Sequence, residues 1–451
     1  MSTAQQKPHI AIIGGGWAGM AAAVTLAQAG GHAISVFESS RHWGGRARGL
    51  DIAGPQGAMW RVDNGQHILI GAYRDSLALM RHVGIDPAHA LQRSPLDLRD
   101  GHDQGLHLPD LPPPWDALLG IARAQGWTWP EKLALLRRAA RWHRAGFECA
   151  AQATVADLCQ GLPPRLLDGF VTPLCVSALN LPIETASGRV FLRILADSLF
   201  AGRGGSNFLI PRVDMGALFP EAAAHWLAHQ GAQLHLGARV HTLTRSSAGA
   251  GWQVNGQPFA HVLLATPSHE AARLAQPWAP AWAATAGQLP HTAIATVYAW
   301  AAGVQLPRPM LALQGGPAQF VFDKGQLGGP AGLLALVVSA NRHGRAELEN
   351  LTLAQAQAQL ALPRLHALKT VIDKRATFAC TPAVARPGKA IAPQLWACGD
   401  YIDGPYPATL EGAVRSGIAA AQAVGGYATG PLLVGRFTCG FPSTTGSRTW
   451  R

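Results

Sequence analysis

Three glycines near the start of the chain stand between an apolar run and an alanine-rich segment. The apolar run Ile10–Ile13 predicts a buried strand, and the alanine-rich segment after the glycines predicts a helix. Gly14 permits a tight turn, Gly16 lets the backbone approach a pyrophosphate, and Gly19 lets the helix pack on the strand. Because the free N–H groups of a helix N-terminus attract phosphates, we expect a dinucleotide here.

An acidic residue and a second glycine pair extend this pattern. Glu38 ends the next short apolar run, about 20 positions after Gly19, where a carboxylate can accept hydrogen bonds from ribose hydroxyls. Gly44 and Gly45 again bring backbone close to a phosphate, and Arg46 adds a cation for it. A loop arginine on the surface is the alternative interpretation of Arg46.

A second piece of the same kind lies near the other end of the chain. Gly399 and Asp400 follow the apolar run "LWAC", and a proline-bearing loop leads to a helix that opens near Thr409. A strand end, an acid and a helix N-terminus can hold a ribityl chain and the electron-rich edge of a flavin. An ordinary strand–helix unit fits this stretch as well, so these residues leave NAD and FAD both open.

The composition bounds the class of protein. With 451 residues the chain suits two or three domains, and 48% hydrophobic against 14% charged residues suits a large core or an apolar cavity. The net charge of +11 comes from scattered arginines without a nucleic-acid motif, so we expect no nucleic-acid partner. The six cysteines lack C-x-x-C spacing and predict free thiols. Without a signal-peptide pattern or an apolar stretch of about 18 residues, we expect a cytoplasmic protein.

One basic segment suggests contact with a membrane surface. In "WTWPEKLALLRRAARWHRAGF" a helix would place Leu133, Leu136, Ala140 and Phe147 on one side, with four arginines around the rest. A basic amphipathic helix with tryptophan can lie in a membrane interface, whereas an ordinary surface helix is the alternative. The residues between Tyr73 and about Phe200 are predicted to be mainly helical.

The glycine, acid and arginine motifs together with the Glu411-Gly412-Ala413 element resemble the FAD-binding amine oxidase and phytoene desaturase superfamily. Within it, the chain is similar to the hydroxysqualene dehydroxylases, or squalene-associated FAD-dependent desaturases, from about residue 8 to 425. The stretches that carry this likeness are "VDNGQHILIGAY", "FVTPLCVSALNLPIETAS", "FLIPRVDMGALFPEAAAHWL" and "GDYIDGPYPATLEGAVRSG".

The resemblance implies an α/β fold class with a discontinuous, Rossmann-like FAD-binding domain and a mixed α+β, amine oxidase-like substrate domain. The FAD-binding domain would comprise residues 8–75, 205–268 and 386–427, and the substrate domain residues 76–204 and 269–385. Residues 428–451 form a tail of unknown role that does not resemble the family.

The resemblance also assigns roles to single residues. It places Glu38 on the adenosine ribose, Arg46 near the pyrophosphate, Asp400 on the ribityl or phosphate side, and the backbone of Val240 against the adenine. The loop Asn64–His67 would run beside the flavin ring. The implied FAD-binding residues are Gly14, Gly16, Gly19, Glu38, Gly45, Arg46, Val240, Gly399, Asp400 and Leu410, and no metal site is expected.

The reaction implied is reduction of hydroxysqualene to squalene by hydride transfer from reduced flavin, in hopanoid or sterol-like lipid synthesis. It requires a water-excluding apolar tunnel for an isoprenoid substrate. His67 is the first candidate for protonating the leaving oxygen, and a structural histidine is the alternative. The external electron donor is left open.

Three other functions remain open at this stage. They are a carotenoid-type desaturase or other amine-oxidase-like FAD oxidase, a non-catalytic flavin- or lipid-binding protein, and an NAD-dependent dehydrogenase. Arg212 and Asp214 are predicted to form a structural ion pair, and a place in the lining of the active site is the alternative. Asn180 is predicted to cap a turn.

Overall fold

The computed structural model describes residues 7–200, 202–246 and 250–425. The strands within these residues are β1 His9–Ile13, β2 Ala33–Glu38, β3 Gly49–Ala53, β4 Met59–Asp63, β5 Leu69–Ile70, β6 Leu91–Ser94, β7 Phe208–Pro211, β8 Gln233–Leu236, β9 Leu243–Arg245, β10 Trp252–Val254, β11 Gln257–Phe259, β12 His261–Leu264, β13 His291–Trp300, β14 Met310–Ala312, β15 Phe320–Asp323, β16 Leu333–Ser339, β17 His366–Phe378, β18 Ala390–Ala392 and β19 Leu395–Ala397.

Helices connect and cover these strands. They are α1 Trp17–Ala29, α2 Arg74–His82, α3 Pro87–Ala90, α4 Trp115–Arg123, α5 Trp129–Arg144, α6 Val155–Leu158, α7 Pro164–Leu166, α8 Thr172–Leu179, α9 Gly188–Leu195, α10 Met215–Leu218, α11 Pro220–His229, α12 Ser268–Ala275, α13 Pro280–Gly287, α14 Arg345–Leu360 and α15 Leu410–Gly425, with short 3₁₀ helices at Pro55–Gly57 and Gly325–Leu327 and π-helical turns at Leu167–Val171 and Ala196–Phe200.

A six-stranded sheet in the order β18-β19-β12-β1-β2-β8 carries the N-terminal β1–α1–β2 unit, which confirms the predicted strand–helix–strand. Its strands are parallel except for β18 at one edge. Strands buried on both faces read as continuous apolar runs, which is why Ile10–Ile13 does not alternate with polar residues. The carboxyl ends of β1, β2, β12 and β19 meet at one edge of this sheet.

The long C-terminal helix α15 packs closely on α1. A Cβ atom built on Gly417 of α15 would lie 2.2 Å from the Ala18 carbonyl oxygen of α1. The alanine-rich sequence of α1 therefore serves this approach, because small side chains let two helix backbones come near each other. The packing holds the N-terminal ends of both helices at the same side of the parallel sheet.

A second, antiparallel sheet has the order β14-β15-β16-β13-β17. Alternate residues of its strands face opposite sides, as a period of two requires. Val321 of β15 and Val338 of β16 lie in the core that also holds Leu348 of α14. Phe320 and Val337 are paired across the same two strands and face the other way. Together, the parallel and the antiparallel sheets confirm the predicted mixed α/β architecture.

The predicted helix α5 is present, but its buried face differs from the predicted one. It begins at a capping box formed by Thr128 and Glu131. Lys132, Leu135 and Trp142 are its buried residues, whereas Leu133, which was placed on the apolar side, is 45% exposed. The pattern misleads here because the Lys132 side chain is buried, and its ammonium donates a hydrogen bond of 2.8 Å to the Ala122 carbonyl.

Two other local predictions have different outcomes. The predicted ion pair between Arg212 and Asp214 is wrong: Asp214 accepts from Arg61 at 3.3 Å and caps α10, and Arg212 contacts Gln92. Asp214 is the residue before α10, and its carboxylate accepts hydrogen bonds from the N–H groups of the first turn of this helix. The carboxylate therefore does not pair with Arg212. Asn180 caps α8 in the left-handed conformation (φ 54°), which confirms the predicted cap.

The domain limits stay a prediction. α2 packs on α15, and β6 pairs with β7, so residues beyond 76 contribute to the core around the parallel sheet. Four of the cysteines are buried and Cys149 is half-buried, with free thiols as predicted. Cys439 and the tail 428–451 lie outside the described residues. None of the helices in the described ranges has the length and apolar character that crossing a membrane requires.

Candidate active site

One cavity of about 980 Å³ runs from the carboxyl edge of the parallel sheet to the face of the antiparallel sheet. It brings together residues from widely separated parts of the chain. The predicted site residues that line it are Gly14, Gly16, Glu38, Gly45, Arg46, His67, Val240, Gly399, Asp400 and Leu410. Gly19 does not line it.

The glycine loop after β1 forms part of the cavity wall. Gly14 has φ +117°, and a Cβ atom on it would lie 2.4 Å from the Ala265 carbonyl oxygen, so a side chain is excluded there. A Cβ atom on Gly19 would lie 1.9 Å from the Gly14 carbonyl oxygen, which makes Gly19 a packing residue of the loop. A Cβ atom on Gly16 would have no neighbour nearer than 3.8 Å, so this backbone faces open space where a phosphate can approach.

Glu38 stands at the end of β2 and is almost fully buried. One carboxylate oxygen accepts from the Gly15 backbone N–H at 2.8 Å and the other from the Ser40 N–H at 2.7 Å. The carboxylate therefore holds the glycine loop in place. Since each oxygen has two lone pairs, it can also accept from ribose hydroxyls in the cavity that it lines.

Arg46 and Asp400 connect the two ends of the chain in the cavity wall. Nη2 of Arg46 lies 2.5 Å from Oδ1 of Asp400, and Nη1 donates to the Ala376 carbonyl at 2.6 Å. Asp400 is buried, and Arg46 is partly exposed. The pair thus places one cation and one anion beside the glycine loop, where the sequence predicts phosphates and ribityl hydroxyls.

The loop between Gly399 and α15 is organised by a residue that the sequence did not point to. The guanidinium of Arg386 donates to backbone carbonyls of this loop, at 2.7 Å to Asp400 and 2.8 Å to both Gly404 and Tyr406. It also donates to the Ile402 carbonyl. No sequence pattern indicates this role of Arg386, because the carbonyls come together around it only in the folded chain.

Two helix N-termini open on the cavity. Gly16 and Trp17 at the start of α1 line it, as do Thr409 and Leu410 at the start of α15. The Thr409 hydroxyl accepts from the Gly412 N–H at 3.1 Å and so caps α15. Unpaired N–H groups and the partial positive charge of each terminus favour anionic groups between them.

Val240 and Glu38 line the same end of the cavity. Hydrogen bonds from neighbouring side chains hold the loop that contains Val240. The Val240 carbonyl accepts from Arg273 at 3.0 Å. Asn255 holds the same loop, since its side-chain oxygen accepts from the His241 and Thr242 N–H groups. Asn255 therefore stabilises the loop that contains Val240. In the sequence, only its position in a tight turn suggests this role.

The loop Asn64–His67 is fixed from behind by buried polar residues. The Lys324 ammonium donates to the Gln66 side-chain oxygen at 3.0 Å, and the Gln66 N–H donates to the Thr296 hydroxyl at 3.2 Å. Asp63, just before the loop, accepts from the Met215 N–H at 2.7 Å. Burial raises the pKa of Asp63 to about 6 against the attraction of Lys324, and burial lowers the pKa of Lys324.

His67 lines the cavity as a neutral hydrogen-bonding group. Its Nδ1 lies 2.5 Å from the Gly65 carbonyl oxygen and must therefore carry the proton that bridges them. Burial lowers the pKa of His67, so the neutral imidazole prevails near pH 7, with Nε2 as an acceptor. This state favours accepting a hydrogen bond over the predicted role of protonating a leaving group.

The far end of the cavity is apolar. Phe320 and Val337 are paired on neighbouring strands and lie side by side on one face of the antiparallel sheet, and helices and loops close the opposite side. The apolar residues that line this end are Ile68, Ile70, Leu96, Leu98, Leu174, Ile194, Phe208, Ile294, Met310, Phe320, Phe322 and Val337. Leu174 of α8 belongs to this set, whereas its neighbours Pro173 and Cys175 do not line the cavity.

A polar cluster forms another part of the wall. The Tyr406 hydroxyl donates to Asp197 at 2.7 Å and accepts from Arg415 at 2.7 Å. Arg193 donates to the same Asp197 at 2.8 Å. The cluster connects the π-helical turn after α9 with the loop before α15, and this long-range contact has no signal in the sequence.

These residues fit a flavin dinucleotide. The open backbone at Gly16, the two helix N-termini and Arg46 suit a pyrophosphate, while Glu38 and Val240 suit an adenosine. These residues form the polar half of the cavity, the apolar side chains described above form its apolar half, and the loop Asn64–His67 lines the same cavity.

The comparisons with known proteins agree with this geometry. The family of flavin containing amine oxidoreductases matches residues 17–425. A hydroxysqualene dehydroxylase of Rhodopseudomonas palustris is 28% identical over 92% of this chain and 97% of its own length. One from Zymomonas mobilis is 25% identical over 91% and 97%.

Solved structures share the fold at low identity. An oxidoreductase from Methanosarcina mazei has a TM-score of 0.67 at 16% identity, covering 92% of this chain and all of the other. A reduced UDP-galactopyranose mutase has a TM-score of 0.67 at 15% identity, covering 94% and 95%. The chain therefore belongs to the family of flavin containing amine oxidoreductases and is an FAD-dependent oxidoreductase.

Proposed function

We propose that this oxidoreductase reduces hydroxysqualene to squalene. The observation that carries the proposal is the apolar half of the cavity, which the polar half and the loop Asn64–His67 also line. Similarity to hydroxysqualene dehydroxylases over nearly the whole chain supports the same substrate class.

When bound and reduced, FAD supplies the hydride that replaces the substrate hydroxyl. In the overall change the C–O bond breaks, a C–H bond forms at the same carbon, and the oxygen leaves as water with one proton taken up from the medium. The chain's residues orient the substrate and exclude bulk water, because a developing allylic cation would otherwise be captured by water.

The side chains divide this work. Phe320, Phe322 and Val337 bind the isoprenoid chain by burying apolar surface. Nε2 of neutral His67 accepts a hydrogen bond from the substrate hydroxyl and fixes the direction of the C–O bond. Lys324 and Thr296 hold Gln66, and with it the loop that carries His67.

An anaerobic single-turnover experiment tests the proposal. The FAD-loaded protein is reduced, mixed with hydroxysqualene in detergent, and followed by flavin absorbance and by mass spectrometry of the extract. Squalene formed in step with flavin reoxidation is the expected result. Unchanged substrate with flavin still reduced would reject the substrate, and oxidised enzyme would then be tested with phytoene-like polyenes as a desaturase.

A variant of the apolar half sharpens the test. Val337→Phe narrows the cavity beside Phe320, so we expect slower turnover and a higher KM at unchanged FAD content. Leu351→Phe is the matched control, because Leu351 is exposed on α14 and does not line the cavity.

A further inference from the structure

Exposed apolar side chains concentrate in one short part of the chain. Trp115 is 63% and Trp129 65% exposed, although tryptophan is usually well covered. The other large exposed apolar residues of the described chain are scattered: Met59, Val213, Leu236 and Leu351. The concentrated set, called here the apolar cluster, comprises Leu111, Trp115, Leu118, Trp129 and Leu133.

The two helices of the apolar cluster lie side by side. Trp115 and Leu118 share one face of α4 at a spacing of three, and Trp129 and Leu133 share one face of α5 at a spacing of four. The Lys132 ammonium is 2.8 Å from the carbonyl of Ala122, in the last turn of α4, and 5.0 Å from the centre of the Trp129 ring. Trp129 therefore stands beside the last turn of α4, about one turn after Leu118.

Positive charge continues directly from the apolar cluster. Arg137, Arg141 and Arg144 are exposed and follow Leu133 on α5 at spacings of four, four and three. We call these three residues the arginine ladder. Residues 111–145 hold six Lys or Arg against two acids. Of those acids, Asp116 is buried and Glu131 is engaged in the cap of α5, so no acid interrupts the ladder.

We propose that the apolar cluster and the arginine ladder dock this protein on an anionic phospholipid bilayer. Tryptophan and leucine enter the boundary between headgroups and acyl chains, while arginines beside them contact lipid phosphates. Charge decides between occupants. A second copy placed symmetrically on this surface would bring arginine against arginine, whereas an anionic bilayer complements both parts.

The surface adjoins the wall of the cavity. Phe147, just after α5, packs on Phe200 with ring centres 4.9 Å apart. Phe200 ends the π-helical turn whose Asp197 and Ser198 line the cavity. The docking goes beyond the proposed function, and only its purpose, taking an isoprenoid directly from lipid, rests on that function.

Vesicle binding of the full-length, FAD-loaded protein tests the proposal without any substrate. Protein is centrifuged with phosphatidylcholine vesicles, with and without phosphatidylglycerol. We expect binding to the anionic vesicles, weakened about tenfold in Trp115→Ala/Trp129→Ala and in Arg137→Glu/Arg141→Glu. Flavin absorbance and the melting temperature check that each variant is folded.

Matched variants elsewhere on the surface serve as controls. Leu236→Ala/Leu351→Ala removes two exposed apolar side chains outside the apolar cluster, and Arg342→Glu/Arg364→Glu makes the same charge change as the arginine-ladder variant. Both are expected to bind like the wild type. No sedimentation of the wild type with anionic vesicles, or an equal loss in the controls, would overturn the proposal.

A change of oligomeric state in Trp115→Ala/Trp129→Ala with vesicle binding intact would instead assign the cluster to contact between copies, and would also overturn it. Because turnover is not measured, failure of the substrate assignment leaves this result unaffected.

Discussion

Arg46 and Asp400 are joined by a 2.5 Å ion pair across 354 positions of sequence. The pair binds the loop after β2 to the loop after β19, and both loops line the half of the cavity that fits the pyrophosphate. The N-terminal and C-terminal FAD motifs are therefore one physical unit, held together by charge at the place where the phosphates are expected.

Removal of this arginine should weaken the cofactor site. In Arg46→Ala the buried Asp400 carboxylate loses its partner and faces the phosphates as an unbalanced negative charge, so we expect FAD affinity to fall at least about tenfold. Arg46→Ala/Asp400→Asn should recover part of the loss. Equilibrium titration of the apoprotein with FAD measures both.

The exposed pair of Arg203 and Asp110 provides the control. Arg203→Ala should leave FAD affinity unchanged, since exposed ion pairs contribute little and this one lies outside the cavity. Equal affinity of Arg46→Ala and the wild type would show that the pair is not part of the phosphate site.

Glu411 should contribute to the free energy of unfolding, because its carboxylate accepts hydrogen bonds from the first turn of α2. Its buried carboxylate takes hydrogen bonds from the Asp75 N–H at 3.1 Å, the Ser76 N–H at 3.0 Å and the Ser76 hydroxyl at 2.6 Å. A residue of α15 thereby caps α2. Glu411→Ala should lower the free energy of unfolding by about 2–3 kcal/mol, because buried donors are left unpaired. Urea unfolding measures it.

Glu411→Gln keeps an acceptor and should lose less than Glu411→Ala. The exposed Glu148 has no such partners, so Glu148→Ala should change the free energy of unfolding by less than about 0.5 kcal/mol. If Glu411→Ala were equally harmless, the cap on α2 would not contribute to folding.

Much of the fold and the polar half of the cavity could be predicted, because the sequence patterns that mark them are local. Gly14, Gly16 and Glu38 fall within one strand–helix–strand unit whose spacing is set by the backbone itself. Other contacts depend on segments that meet only in the folded chain. They are the ion pair of Arg46 with Asp400 and the hydrogen bonds of Arg386 to the loop before α15. Hydrophobic periodicity also failed to predict that Lys132 is buried. The free-energy cost of burying its ammonium is offset by a hydrogen bond to the Ala122 carbonyl, and this contact has no pattern in the sequence.

Asp63 should make stability depend on pH in an unusual direction for a carboxylate. Burial raises its pKa from 3.8 to about 6, so the folded chain holds this proton more tightly than the unfolded chain. The free energy of unfolding should then decline as pH rises from about 4 to 6, by up to about 3 kcal/mol from this group. Urea unfolding at several pH values shows it.

Two variants identify the group responsible. Asp63→Asn keeps an acceptor for the Met215 N–H and should flatten the profile between pH 4 and 6 relative to the wild type. Lys324→Met removes the nearby cation that lowers the Asp63 pKa, so the decline should move to higher pH. An unchanged profile in Asp63→Asn would assign the pH dependence elsewhere.

His67 offers a test of how the substrate oxygen is held. Burial keeps its pKa below 6.5, and the contact of Nδ1 with the Gly65 carbonyl leaves Nε2 as an acceptor. If neutral His67 holds the substrate hydroxyl, the single-turnover rate is full above this lowered pKa and falls as pH drops through it. A histidine that protonated the leaving oxygen would instead make the rate rise on acidification.

His67→Asn and His67→Gln separate the two nitrogens. Asn can still donate to the Gly65 carbonyl, as Nδ1 does, but it lacks the Nε2 acceptor that orients the substrate hydroxyl, so its rate should fall by about 100-fold with FAD affinity unchanged. Gln places an amide nearer the position of Nε2 and should retain more activity. Both variants should lose the acid limb of the pH profile, and a limb that persisted in both would mean that another group titrates.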